Sequence, residues 1–275
     1  MYNQNVMTPE VSHPFTPERV ALYKKAQEGL PEVRRFELEP ILHHVKAENP
    51  AGKLALELGS GSGFLTQKLA ETGLEVDTID RVFTKVPSAR THKLFNLSQG
   101  LPAATHEITY DFIISLACLH HVVDIPERLP IPLIENLDRV SKPGTTLIFE
   151  DVPNAHAVQR YAEQERHGAA CTARFFTEVI DVYSKPYHNG TYLDMNRIGL
   201  QLENIGWEVT HCFLNTCSWH FENESSLITY VRDLFNLDMT PQHLRDELPG
   251  FIYPKGGGVI LPWGLHCLVA KKLNG

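Results

Sequence analysis

Leu56-Glu57-Leu58-Gly59-Ser60-Gly61-Ser62-Gly63 decides how this chain folds: an apolar strand runs through a glycine-rich turn into a helix. Glycine lets the backbone turn tightly and approach a ligand with no Cβ in the way. Twenty-three residues after Glu57, at the end of the next apolar segment, lies Asp80. A carboxylate at that place in nucleoside-binding α/β folds accepts hydrogen bonds from both hydroxyls of a ribose. The dinucleotide pattern G-x-G-x-x-G would need its third glycine where Phe64 stands, which counts against a nicotinamide cofactor.

Outward from this turn, short apolar segments alternate with helical ones, the pattern of βαβ units and a parallel sheet. Strands are expected at 54–58, 74–79, 93–97, 110–118 and 145–150, with helices at 63–72 and 131–140. The run at 110–118 is almost unbroken and rich in Ile and Phe, as in a central strand buried on both faces. Upstream, Thr16 and Pro17 begin a helix at 17–29, and a second follows at 31–47. Residues 1–15 have no basic start and no apolar stretch, so they read as a partly ordered arm and not as a secretory signal. Downstream, 154–196 breaks the alternation and reads as an inserted cap. A helix at 196–205 and a strand at 207–213 resume it. A second insert, 215–258, holds helices at 226–235 and 241–248, and a strand at 265–271 closes the chain. The expected organisation is a helical arm or cap at 1–49, a core at 50–153 and 196–275, and cap or lid insertions at 154–195 and 215–258.

Composition bounds the function. With 43% hydrophobic and 21% charged residues among 275, the chain is that of an ordinary soluble domain. Its apolar runs are far shorter than the roughly 18 residues of a membrane-spanning helix. Five scattered cysteines with no C-x-x-C pair indicate neither a disulfide framework nor a zinc knuckle, and fit a reducing cytosol. A formal charge of −8 opposes binding to nucleic acid, which rests on clustered Lys and Arg.

An acidic residue two positions before G-x-G-x-G, with Asp80 at its spacing, resembles the class I (Rossmann-like) S-adenosylmethionine-dependent methyltransferases. The likeness continues through Asn96 and Leu97 after the third strand, Leu116 to Val122 after the fourth, and the turn at 137–144. It covers about residues 50–150. The resemblance implies a seven-stranded, mostly parallel sheet whose last strand is antiparallel, with a helical cap. It also implies S-adenosyl-L-methionine lying across the carboxyl ends of the strands, held by Glu57, Gly59, Ser60, Gly61, Gly63, Asp80, Asn96, Leu97 and Leu116. Asn96 departs from the family's usual acid, for its amide oxygen accepts without charge.

Methyl transfer is an in-line displacement that needs alignment and, for an acidic acceptor, removal of a proton. His121 and His120 leave the fourth strand near where the methyl group should point, and imidazole suits proton uptake near neutral pH. A packing role is the plain alternative. Fourteen histidines invite a metal hypothesis, but no H-E-x-x-H, H-x-C or paired-cysteine spacing supports one, so no metal site is expected. Tyr183, Tyr187, Tyr192, Trp219 and Trp263 are the expected walls of a pocket for a planar or apolar small-molecule substrate. The reading is a cytoplasmic small-molecule methyltransferase acting on O, N or C. Its rivals are a nicotinamide-dependent oxidoreductase and a methyltransferase-fold binding protein without transfer.

Overall fold

A computed structural model describes residues 16–82, 86–185, 187–188 and 190–274; the arm read at 1–15 lies outside the described residues. Thr16 accepts a hydrogen bond from the Arg19 N–H and Pro17 opens the first helix, α1 (Pro17–Gly29). Residues 31–34 form a turn, so α2 begins later than expected and spans Arg35–Ala47. The turn buries Val33 and Arg34, a tertiary demand that local propensity does not carry.

The core then follows as β1 (Leu54–Leu58), α3 (Phe64–Ala70), β2 (Glu75–Asp80), β3 (Thr91–Leu94), β4 (Tyr110–Leu116), α4 (Ile131–Arg139) and β5 (Ser141–Asp151). Two boundaries differ from the sequence reading by three residues or more. β3 stops at Leu94, because Asn96 caps a tight turn at Leu97–Gln99. The Ser141 to Gly144 turn is part of β5, where the pairing with β4 jumps from Tyr110–Ser141 to Phe112–Thr146 and residues 142–145 bulge.

The segment read as a cap is helical over most of residues 155–183. It holds α5 (Ala155–Val158) and α6 (Glu163–Phe175), and the latter continues through a wide turn at Phe176–Ile180 into α7 (Asp181–Tyr183). The chain closes with α8 (Met195–Glu203), β6 (Trp207–Phe221), α9 (Glu224–Phe235), α10 (Pro241–Glu247), β7 (Tyr253–Lys255) and β8 (Gly258–Lys272).

The strands lie in the order β3-β2-β1-β4-β5-β8-β6, parallel except for β8, which runs antiparallel to both neighbours. The expected seven-stranded sheet is there, and the short β7 adds an eighth strand against β8. Apolar residues of α4 and α8 cover one face and those of α2 and α3 the other. No helix among the described residues is long and apolar enough to cross a membrane.

β6 and β8 outrun the sheet. β5 pairs with β8 only as far as Asp151 opposite His266, whereas β6 stays paired to β8 up to Phe221 opposite Val259. This two-stranded ribbon rises past the carboxyl edge, and Cys217, Trp219 and Phe221 alternate inward as a strand requires. Trp219 and Trp263 stack face to face at 4.0 Å between centroids. With Phe175, Phe176, Leu234 and Phe235 they form a second core above the strand ends.

Candidate active site

At the end of β1 the chain passes through Gly59, Gly61 and Gly63, all with positive φ (77°, 51° and 83°). A Cβ on Gly59 would lie 2.0 Å from Cys118 Sγ, so only glycine lets the turn rest against the segment leaving β4. Asp80, at the end of β2, accepts the Gly61 N–H at 2.7 Å and the Val82 N–H at 2.9 Å. A carboxylate has about four lone-pair sites, so capacity for further donors remains.

Above this turn lies a half-open cavity, about 870 Å³ with the solvent at its mouth included. Gly59, Ser60, Gly61, Asp80, Asn96, Leu97 and Leu116, seven of the nine residues expected to hold the donor, line it. Glu57 and Gly63 are not in its wall. Glu57 is buried beneath the turn, accepting a hydrogen bond from Thr66 Oγ1 at 2.5 Å, and Gly63 stands just before α3 as its N-cap residue. Asn96 spends its amide oxygen on the N–H and hydroxyl of Ser98. Tyr23, Gln27 and Arg34, from the N-terminal helices and their turn, supply a wall that sequence reading did not assign.

A second half-open cavity, about 650 Å³ with the solvent at its mouth included, lies between the strand ends and the aromatic core. Trp219 and Trp263 line it, but the three expected tyrosines do not. Tyr183 packs on His243, Tyr187 is 62% exposed, and Tyr192 stands behind His188 with its hydroxyl on Asp181. A helix now fills the place where those tyrosines were expected to form a wall, and it turns Phe176 and Ile180 inward instead. Four residues line both cavities: Tyr23, Arg34, Ala117 and His121. The two spaces therefore meet at the end of β4.

The junction is polar and tightly held. Arg34 donates to Tyr23 and, at 2.6 Å, to Glu37, which also accepts the Trp219 indole N–H at 2.6 Å. Burial opposes the Arg34 charge, but Glu37 and Tyr23 outweigh it and hold the guanidinium above its ordinary range. On the other side His120 Nδ1 lies 2.5 Å from Asp151 Oδ1. Asp151 is fully buried and gathers the backbone N–H groups of Cys118, Leu119, His120 and Val152, so it fixes the loop that carries both histidines. His120 Nε2 faces His188 Nε2 at 3.2 Å, and His188 Nδ1 lies 2.8 Å from Asp181. Burial pushes the His188 imidazole below its usual range, and the bond to Asp181 restores this only in part. His188 was invisible to spacing arguments because it lies 68 residues from its partner. The acids closing β5 after an apolar run were a signal that could have been read.

A parallel sheet flanked by an antiparallel strand, with a glycine turn after β1 and an acid ending β2, is the architecture of a class I methyltransferase whose methyl donor is S-adenosylmethionine. The chain belongs to the methyltransferase-domain family, whose profile matches residues 32–211. It is 26% identical over 210 residues to the ubiquinone biosynthesis O-methyltransferase of Xanthomonas axonopodis pv. citri (strain 306), covering 70% of this chain and 82% of that one. To the protein of the same name from Hydrogenovibrio crunogenus it is 30% identical over 129 residues, 44% of this chain and half of the relative's length. In fold it is similar to magnesium protoporphyrin IX methyltransferase from Synechocystis PCC 6803, solved with S-adenosylhomocysteine (SAH) bound, at a TM-score of 0.51 and 14% identity over 93% of this chain and 95% of the other. Membership in this family sets aside the nicotinamide-dependent alternative.

The first cavity fits such a donor. Ser60 Oγ and Gln27 Nε2 are buried in its wall with no hydrogen-bond partner among the described residues, a costly state that a polar ligand relieves. Beside them, a Cβ on Gly61 would meet nothing within 4 Å, so the turn leaves open space there.

Proposed function

We propose that this methyltransferase acts on a hydroxyl of a planar, largely apolar small molecule seated in the second cavity. The observation that carries this reading is the meeting of the two cavities at His121, Tyr23, Arg34 and Ala117, which gives a donor and an acceptor one shared point of contact. Bound S-adenosylmethionine supplies an electrophilic methyl group on a sulfonium. Asp80 would take its ribose hydroxyls, Phe95 and Leu97 would flank its adenine, and Ser60, Gly61 and Gln27 would meet its polar end. Asn96 shapes the adjoining turn and Glu57 supports the loop from beneath.

Stacked Trp219 and Trp263, with Phe176 and Phe235, offer flat apolar walls that suit a ring, and the histidines present nitrogen to its reacting atom. Oxygen is favoured over nitrogen or carbon because the relatives are named O-methyltransferases. A narrow aromatic-lined cavity and a net charge of −8 favour a small molecule over nucleic acid. The five cysteines are free thiols, in keeping with a reducing cytosol. In this reading α1, the helical segment 154–195 and the segment 215–258 form the cap.

The test is turnover: the purified protein is incubated with S-adenosylmethionine and panels of phenols, amines and carbon acids, and formation of SAH is followed with the product mass. Methyl ethers from phenols are expected. Transfer confined to amines or carbon acids would move the acceptor atom, and transfer to none of the three panels would refute this reading of the second cavity.

A further inference from the structure

Two histidines in this structure are aimed at one point. Asp151 and Asp181 accept from Nδ1 of His120 and His188, at 2.5 and 2.8 Å, and since a carboxylate only accepts, each Nδ1 carries the hydrogen. The remaining lone pair of each ring, on Nε2, then faces the other across 3.2 Å. Two neutral imidazoles in this tautomer cannot hydrogen-bond to one another. Two things satisfy both: a proton taken up by one of the rings, or a metal cation between them.

His121 completes the set. Its ring centre lies 4.0 Å from that of His120 and 4.7 Å from that of His188. One ring nitrogen from each of the three falls within 4.8 Å of the others. On a tetrahedral ion with metal–nitrogen bonds of about 2.0–2.1 Å, ligand nitrogens stand about 3.3 Å apart. His120 and His188 already have that separation, and His121, with a ring nitrogen within 4.8 Å of both, must draw closer to make the third bond.

We propose that His120, His121 and His188 form a site for one divalent first-row transition-metal ion, with an open fourth position facing the second cavity. Three features support it beyond the spacing. A carboxylate behind a ligating imidazole is the usual outer partner of a metal-bound histidine, and here two of the three rings have one. Those carboxylates are themselves fixed, Asp151 by four backbone N–H groups and Asp181 by the Tyr192 hydroxyl. All three histidines line the second cavity, so the open position is reachable by a small molecule.

An all-imidazole set selects Zn(II), Co(II), Ni(II) or Cu(II) over Mg(II), which prefers oxygen ligands. The fourth ligand is a water or a hydroxyl oxygen, whose proton the ion makes easier to lose. That this oxygen belongs to the methyl acceptor rests on the functional reading above; binding of the ion does not. The histidines then serve the acceptor through the ion and need not take its proton themselves.

The experiment needs no methyl donor. Protein stripped with a chelator is titrated with Co(II), followed by visible absorption, and with Zn(II), followed by calorimetry and by metal content after gel filtration. The expected result is one ion per chain with the absorption of a four-coordinate Co(II) centre. His188→Ala should weaken binding at least 100-fold. Asp181→Asn, which leaves all three nitrogens in place, should weaken it about 10- to 100-fold. His211→Ala, an exposed histidine outside the trio, should bind as the wild type does. Absence of Co(II) and Zn(II) binding at 100 µM in the wild-type protein overturns the proposal, as does binding that survives both His188→Ala and Asp181→Asn or that His211→Ala abolishes. If His188→Ala does not fold, the Asp181→Asn and wild-type results decide. Because no transfer is measured, a missing methyltransferase activity cannot be mistaken for a missing ion.

Discussion

Glu57 stands under the glycine turn with its carboxyl out of reach of water. Burial pushes its pKa up to about 7, against the stabilising hydrogen bond from Thr66 and with a further push from the Asp80 charge. The group lies on the face of β1 that meets α3, which is why it supports the turn and does not line the cavity. Between pH 4.5 and 7 the unfolded chain releases this proton while the folded chain keeps it, so the folded state loses stability as pH rises through that window. A shift of this size corresponds to about 3 kcal/mol between pH 4 and pH 8. Glu57→Gln, which has no proton to lose, should remove that part of the pH dependence. Urea denaturation of both proteins across the range checks it: the stability difference, mutant minus wild type, should grow with pH. A difference that stays constant would mean that Glu57 titrates in the folded protein as it does in the unfolded chain. The sequence pointed to this residue by its distance from Gly59, but a contact with the donor could not be told from a support beneath the loop until α3 was in place.

The ribbon of β6 and β8 is held against α6 by two glycines that touch. A Cβ on Gly168 would fall 2.4 Å from the Trp263 carbonyl oxygen, and one on Gly264 would fall 2.5 Å from the Ala169 nitrogen. Neither needs a positive φ; each is glycine because a helix and a strand approach backbone to backbone, with Thr172 Oγ1 accepting the Gly264 N–H at 2.8 Å. Gly264→Ala must push α6 from the ribbon and should cost about 1–3 kcal/mol, lowering Tm by several degrees in a chain of this size. Gly29→Ala, where a Cβ meets nothing within 4 Å, should leave Tm nearly unchanged. Equal melting of the two variants would mean that α6 is not seated on the ribbon. At this scale the parts legible in the sequence were those whose pattern is local: β1, α3, β2, β4 and α9 stand within a residue or two of their expected places. The upper half of β6 was not, because Asn215, Thr216 and Ser218 interrupt its apolar run, although Cys217, Trp219 and Phe221 keep a period of two. The polar junction was hidden for another reason. Its bonds join Glu37 to Trp219 and His120 to His188, across 182 and 68 residues, and no window of sequence contains both partners.

Over the whole molecule, the first cavity joins the sheet to α1, because Val20, Tyr23 and Gln27 face the glycine turn and Asp80 across it. α1 has few apolar anchors. Its buried residues are Arg19, Val20, Ala26 and Gln27, and it is tied to the end of α9 by Arg19 on the carbonyls of Asp233 and Leu234 and by Lys25 on Asp233 at 2.9 Å. Cations suit a helix C-terminus; the Lys25 pair near solvent is worth about 1 kcal/mol or less, and the buried Arg19 hydrogen bonds about 1.5–3 kcal/mol each, still far short of a folded domain's stability. Undocking of α1 should therefore be an opening well below global unfolding in free energy. A ligand slows hydrogen exchange only through those openings that destroy its site. SAH at one hundred times its Kd stabilises the bound form by about 2.7 kcal/mol, a factor of about one hundred. If α1 is a wall of the donor site, amides of residues 20–29 should exchange up to about a hundredfold more slowly with SAH present. Amides of α10, which lines neither cavity, should keep their local exchange rate, since that helix can open with the ligand in place. Mass-spectrometric hydrogen exchange reads both segments in one experiment. Slowing in α10 alone, or equal rates in α1 with and without SAH, would show that the donor is held by the sheet without the N-terminal helix, and would leave Tyr23 and Gln27 as bystanders to the site they line.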